Sequence, residues 1–284
     1  MTSMTKHELQ HKVLQLSKLS QSEASTVWGK RRQALRTHFE KDDIEDFLRW
    51  STINATMFVR ECDMTHAQLI QLRSVPKWEF YAETALMENS LGNPLRLGAM
   101  AYTSGNLVNQ TYHLHQWERM TRRDVKDLTT IVEFGGGYGA MSAICRRMGF
   151  EGDYYIYDFP EFCLLQEYYL TNLGYEVETI DVDRNTDYKK ITQFTPDIDL
   201  LIACHSLSEV PFHVREDFIA NLAPLSCLFV YQKKFDGIDN IGWFQMLTEK
   251  WKGYNHASFV GEADEKERVN YLISDIEGVG VAQS

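Results

Sequence analysis

The chain has 284 residues, 44% of them hydrophobic, and a formal net charge of −11. That is apolar enough to bury a core and long enough for one large domain or one domain with a substantial extension, which excludes disorder as the default. The charge is uneven: residues 1–125 hold 16 Lys and Arg against 14 Asp and Glu, whereas residues 126–284 hold 13 against 26, an acidic half that excludes a polyanion such as nucleic acid.

The first 125 residues read as helical and irregular. Segment 7–19 carries Leu9, Val13 and Leu16 at helical spacing, and segment 42–50 places Ile44, Phe47 and Leu48 likewise. Asn89 to Pro94 reads as a loop, and Thr103 to Asn106 precedes a helix over 107–120. From Lys126 onward strands and helices alternate. A strand at 131–134 runs into a glycine cluster and a helix over 140–148, and a second strand, Tyr154 to Tyr157, follows. Pro160 starts a helix that closes at Gly174. Further strands are predicted at 176–180, 198–204 and 227–231, with helices over 212–222 and 241–251. The last two strands, 256–260 and 269–274, have no helix between them and read as a hairpin. Such alternation predicts a parallel sheet with right-handed crossovers. The division expected is a helical cap over 1–125 and a cofactor-binding sheet domain over 126–284.

Residues 131–139, Ile-Val-Glu-Phe-Gly-Gly-Gly-Tyr-Gly, form a strand, a tight turn and a helix start. Glycine suits such a turn because φ is often positive there and because a side chain would keep backbone and ligand apart. Gly135 to Ala140 satisfies the dinucleotide fingerprint as well, and Asp158 ends the next strand at a distance suited to a ribose. Motif and acid together imply an adenosine-type cofactor and leave methyl and hydride transfer both open. Glu133 adds specificity: a carboxylate at the strand's end suits a cationic or hydrogen-bond-donating ligand better than a pyrophosphate. The Glu-x-Gly-x-Gly-x-Gly pattern of Glu133, Gly135, Gly137 and Gly139 resembles motif I of class I S-adenosylmethionine methyltransferases. The terminal hairpin resembles their sheet, whose last strand runs antiparallel, and this favours S-adenosylmethionine as the cofactor. By that resemblance Glu133 faces the amino acid end of the cofactor, Asp158 takes the ribose hydroxyls, Phe159 flanks the adenine, and Asp181 accepts from the adenine amino group.

The fourth strand ends in Ala-Cys-His-Ser-Leu-Ser-Glu-Val, residues 203–210. Methyl transfer to oxygen requires the acceptor hydroxyl to lose its proton, and His205, with an ordinary pKa near the working range, is the best-placed base. Glu209 would orient it or bind acceptor hydroxyls. The alternative is that His205 and Ser206 cap the following helix or bond the cofactor. His113 and His256 are secondary candidates. His113 and His115 are two apart and point away from each other on a helix, so they do not form a metal pair. Asp181, Asp183, Asn185 and Asp187 alternate as in a calcium loop, but Thr186 stands where the turn needs glycine and Thr192 where a bidentate Glu belongs.

Five scattered cysteines show no zinc spacing, and the start lacks the apolar core of a signal peptide. A cytoplasmic protein without metal or membrane association is expected. Phe47 to Trp50, Thr56 to Val59, Glu133 to Gly139, His205 to Glu209 and Asn270 to Ile273, in that order, resemble the sugar O-methyltransferases. That resemblance implies a Rossmann-like α/β sheet behind a helical N-terminal region, and a metal-independent O-methyltransferase acting on a sugar or glycan hydroxyl. The competing readings are an NAD(P)-dependent oxidoreductase and a non-catalytic partner subunit of the same fold.

Overall fold

The structure, a computed structural model, describes residues 3–98, 100–183, 198–220, 222–261 and 269–277. Its centre is a seven-stranded sheet of β1 (Thr130–Phe134), β2 (Asp153–Asp158), β3 (Glu178–Asp181), β4 (Leu200–Cys204), β5 (Ser226–Tyr231), β8 (Asn255–Val260) and β9 (Asn270–Asp275). The spatial order is β3-β2-β1-β4-β5-β9-β8. Strands β1 to β5 are parallel, and β9 runs antiparallel to both β5 and β8. This is the Rossmann-like sheet with an antiparallel last strand expected from the sequence; that strand sits inside the edge instead of on it. A small hairpin of β6 (Lys234–Phe235) and β7 (Ile238–Asp239) follows β5.

Both sheet faces are apolar because both are covered. Ile131, Ile156, Leu200, Ile202, Leu228, Val230 and Ile273 face one side, and Val132, Phe134, Leu201, Ala203, Phe229 and Leu272 the other. The second face packs against α10 (Phe212–Ala220) and α11 (Asn240–Lys250) through Phe218, Ile219, Trp243, Phe244 and Leu247. The first is covered by α8 (Ala140–Arg147), α9 (Pro160–Asn172) and the N-terminal helices. Their buried Leu9, Leu35, Phe47, Ile53 and Leu72 belong to the same core as Ile131 and Ile156.

The N-terminal layer contains α1 (Lys6–Leu14), α2 (Gln21–Ser25), α3 (Val27–Lys41), α4 (Ser51–Thr56), α5 (Asp63–Ser74), α6 (Trp78–Glu83) and α7 (Gly105–Thr121). Helix α1 ends at Leu14, before the expected 19, and a separate helix starts after Ser20, which caps it by accepting from the Glu23 amide while Glu23 reaches back to the Ser20 amide. The helix expected over 42–50 is a 3₁₀ helix, Ile44–Arg49, broken by non-helical backbone at Asp46. Helix α3 escapes apolar periodicity because its buried stripe is Gly29, Arg32, Leu35 and Phe39. The 89–94 segment is indeed a turn, with Gly92 at φ +79° and the Phe47 ring so close that a Cβ on Gly92 would lie 2.3 Å from it. Asn185, Thr186, Asp187 and Thr192 of the calcium-loop reading lie outside the described residues. Among the described residues no helix is long and apolar enough to cross a membrane.

Helix α7 fastens the N-terminal layer to the sheet. Trp117, fully buried, donates from Nε1 to Ser226 Oγ at 2.7 Å, and that hydroxyl donates to the Ser274 carbonyl at 3.0 Å. Trp117→Ala should therefore lose both a large buried ring and a hydrogen-bond donor, destabilising the chain by about 3–5 kcal/mol. Trp117→Phe should cost clearly less. Urea unfolding at constant m-value measures both, and equal losses for the two variants would contradict this role.

Candidate active site

The strand β1 delivers the glycine loop to the carboxyl edge of the sheet. The Gly135 amide donates to the Tyr157 carbonyl at 2.8 Å, and Gly135 has φ +72°. A Cβ there would stand 2.3 Å from Ser206 Cβ, and the Ser206 hydroxyl donates to the Phe134 carbonyl, so the ends of β1 and β4 are stitched together where no side chain fits. A Cβ on Gly136 would lie 2.6 Å from Ile156 and 3.1 Å from Glu133 Oε2. At Gly137 the demand is conformational: φ is +59°, and an added Cβ would only make ordinary contact, 3.5 Å, with Met57. The space beside Gly137 thus belongs to Met57, not to open cleft. Gly139 begins α8, its amide donating to the Gly136 carbonyl at 2.9 Å.

Two acids lie beneath this loop. Glu133 is buried and accepts from the Tyr154 hydroxyl at 2.9 Å; burial raises its pKa to about 7. Asp158 is buried at the end of β2, accepting from the Phe159 amide at 2.8 Å and from Gln166 Nε2 at 2.7 Å, and burial raises it also to about 7. Gln166 Nε2 also reaches the Gly137 carbonyl at 3.0 Å, so one side chain of α9 joins the loop to the acid. Its Oε1 is buried with no partner, an acceptor left over for a ligand's donor. Asp181 pairs in register with Asp158 and accepts from the Asp183 amide at 2.8 Å. Sequence reasoning missed Tyr154 and Gln166. Tyr154 pairs with Ile131, two residues from Glu133 on the neighbouring strand, which register alone reveals.

Helix α3 crosses above these strand ends, held by charges that apolar periodicity does not register. Arg32, itself buried, donates to the fully buried Glu161 at 2.7 Å and also pairs with Asp183; Arg36 joins Glu161 from the next turn. The Arg32 guanidinium lies 4.6 Å from the centre of the Phe159 ring, and Trp28 stands 6.2 Å from the same ring. The residue expected to flank an adenine is therefore roofed by α3. At the other end of this crossing Arg31 contacts Glu209 at 3.4 Å.

His205 follows β4 with φ +67°, a strained backbone for a non-glycine residue, fixed by its amide bonding to the Val230 carbonyl at 2.7 Å. It is partly exposed and lines a cavity of about 560 Å³ together with Val59, Arg60, Cys62, Asn109, Gln232, Lys233 and Lys234. Its Nδ1 is enclosed without a partner, and burial pushes its pKa down to about 4, so the near-neutral value expected from sequence does not apply. Glu209, raised to about 7 mainly by burial, bonds Arg31 and, at 3.3 Å, Gln232; its hydrogen bonds are not to His205.

The remaining histidines separate cleanly. His113 is buried, bonded through Nδ1 to the Tyr271 hydroxyl at 2.7 Å, with its ring 6.0 Å from that of His205. His115 instead turns to Tyr81. His256 pairs with Ser274, at the amino end of the parallel strands, and bonds the Ser274 hydroxyl and the Trp251 carbonyl. It therefore stands at the end of the sheet opposite the glycine loop and His205, apart from the other candidate residues. Among the described residues no group of three or more His, Cys, Asp or Glu side chains is arranged to hold a metal.

No family model matches the sequence, and no curated protein matches it. Solved structures similar to the chain include magnesium protoporphyrin IX methyltransferase from Synechocystis PCC 6803 with bound SAM, at 13% identity and TM-score 0.43 over 61% of this chain and 80% of that one. A SAM-dependent methyltransferase from Aquifex aeolicus is similar at 14% identity and TM-score 0.41, covering 58% and 89%. The fibrillarin pre-rRNA processing protein of Methanococcus jannaschii is similar at 15% identity and TM-score 0.41, covering 53% and 68%. Likeness at this distance says nothing of what this chain binds or modifies.

Proposed function

We propose that the chain is an S-adenosylmethionine-dependent O-methyltransferase whose acceptor, a sugar or glycan hydroxyl, enters the cavity beside His205. The observation that carries the reading is one arrangement: the glycine loop with two buried acids at the ends of β1 and β2, adjoining a separate cavity at the ends of β4 and β5. Ligands of open α/β sheets occupy this edge. The sugar acceptor rests on the resemblance of the motifs alone.

The residues fit such a cofactor. Asp158 retains acceptor capacity for ribose hydroxyls, and Gln166 Oε1 lacks a donor. Glu133, costly to bury as an anion, would be held ionised by a cationic group above it. When bound, the cofactor supplies an electrophilic methyl group on a sulfonium. The chain's own part is to orient the acceptor and receive its proton. His205 is neutral throughout the ordinary pH range and takes that proton at Nε2, since Nδ1 is enclosed. The burial that keeps it neutral also makes it a weak base, so its contribution belongs at the low end for general-base catalysis.

Two outcomes follow. Titrating S-adenosylhomocysteine calorimetrically between pH 8 and pH 6 should show affinity falling as pH drops through about 7, where Glu133 and Asp158 take up protons. Each proton that binding must expel costs up to about tenfold in affinity per pH unit. Asp158→Asn should weaken binding by roughly 1.5–3 kcal/mol and flatten that slope. Preferential binding of NAD or NADP would replace this reading with hydride transfer. In single-turnover methylation, His205→Ala should lower the rate about 10²-fold with cofactor affinity unchanged. With cofactor saturating, wild-type kcat should stay level as pH falls from 8 and decline only toward the His205 pKa of about 4. Unchanged turnover in His205→Ala would make the residue structural, and cofactor binding without turnover on any acceptor would favour a partner subunit.

A further inference from the structure

Of the described residues lining the 560 Å³ cavity, Arg60, Lys233 and Lys234 are cationic and none is acidic. Lys233 and Lys234 form no ion pair among the described residues, and the side-chain bond of Arg60 is to the neutral Asn54, at 3.1 Å. This is a local reversal, because residues 126–284 carry twice as many acids as bases. Elsewhere in the site cations are consumed by acids: Arg31 by Glu209, Arg32 by Glu161 and Asp183, Arg36 by Glu161. Three unconsumed cations at one mouth raise the potential for a negatively charged ligand.

We infer that the acceptor is anionic, a sugar derivative bearing a phosphate or a carboxylate, and that Arg60, Lys233 and Lys234 hold that group while its hydroxyl lies at His205. This rests on the methyltransferase reading and narrows its substrate class. The chemistry is shared by phosphates and uronic acids. Arg60 offers a planar fork that matches either oxyanion, and the two lysines add flexible point charges. The volume of the cavity suits one sugar unit with its charged substituent and not a long polyanion, in keeping with the acidic surroundings.

The test uses the full chain saturated with S-adenosylhomocysteine, with labelled histidine followed by NMR. Glucose 1-phosphate, glucuronate and neutral glucose are titrated separately against the His205 resonance. At least one anionic sugar should move that resonance at concentrations about tenfold or more below those glucose needs, and less effectively as salt is raised. A response to the phosphate alone, or to the glucuronate alone, identifies which oxyanion the site takes. Arg60→Gln, Lys233→Gln and Lys234→Gln combined should erase the preference. If neither anion outcompetes glucose, or if the triple variant retains the preference, the inference is overturned while the cofactor reading stands. Failure of S-adenosylhomocysteine itself to bind, measured first on the same sample, would instead overturn the methyltransferase reading.

Discussion

Between Gly137 and Gly139, both at positive φ, Tyr138 turns its ring away from the sheet edge and into the N-terminal layer. There it is fully buried, its hydroxyl accepting from Asn106 Nδ2 at 2.8 Å, among Phe47, Phe58 and Tyr169. A run of glycines has no preferred shape, and this one ring supplies it. The same layer sends Met57 over Gly137, Arg60 into the neighbouring cavity, and α3 across Phe159. The N-terminal helices are thus part of the site's walls and part of the sheet's core at once. Removing them would unpack Tyr138 and bare the first face of the sheet together.

Charge divides the site in two. On the side of β1 and β2, Glu133 and Asp158 are buried acids whose ionisation is disfavoured until something donates to them. On the side of β4 and β5, the cavity mouth is basic. A cofactor with a cationic centre and an acceptor with an anionic one would each meet the complementary half, and the acceptor hydroxyl would arrive at the boundary where His205 stands. The strained backbone of His205 has a purpose in this scheme, since it fixes the ring at that boundary against the end of β5.

Much of the sheet was legible because its strands are apolar on both faces and the helix between β2 and β3 has a clear start at Pro160 and a clear stop at Gly174. The glycine turn after β1 and the placement of Asp158 at the end of β2 were legible as well, from the glycine cluster and the strand pattern. The N-terminal layer was legible only in part: the helix expected over 107–120 is α7, while α3 and α5 gave no apolar signal. Among the inward positions of those two helices are Gly29 against the α2 backbone, Arg32 on Glu161, and Gln68 on Asn109, polar or small contacts that interrupt the apolar period. Gln166 was hidden for the opposite reason: it lies on a helix whose surroundings are apolar, and only its position over Asp158 gives it a part. His256 shows the cost of reading strands without direction, for its strand was foreseen but not which end of the sheet it would occupy. The pKa of His205 could not be read from residue type, since enclosure sets it.

The most direct measurement is a crystal structure of the full chain grown with S-adenosylhomocysteine. The account predicts the ligand across the carboxyl ends of β1 and β2, its ribose on Asp158, its amino acid end toward Glu133, and its sulfur opening on the cavity that His205 lines. Density for the ligand at any other place, or Met57 and α3 undisturbed over a loop that holds nothing, would contradict it.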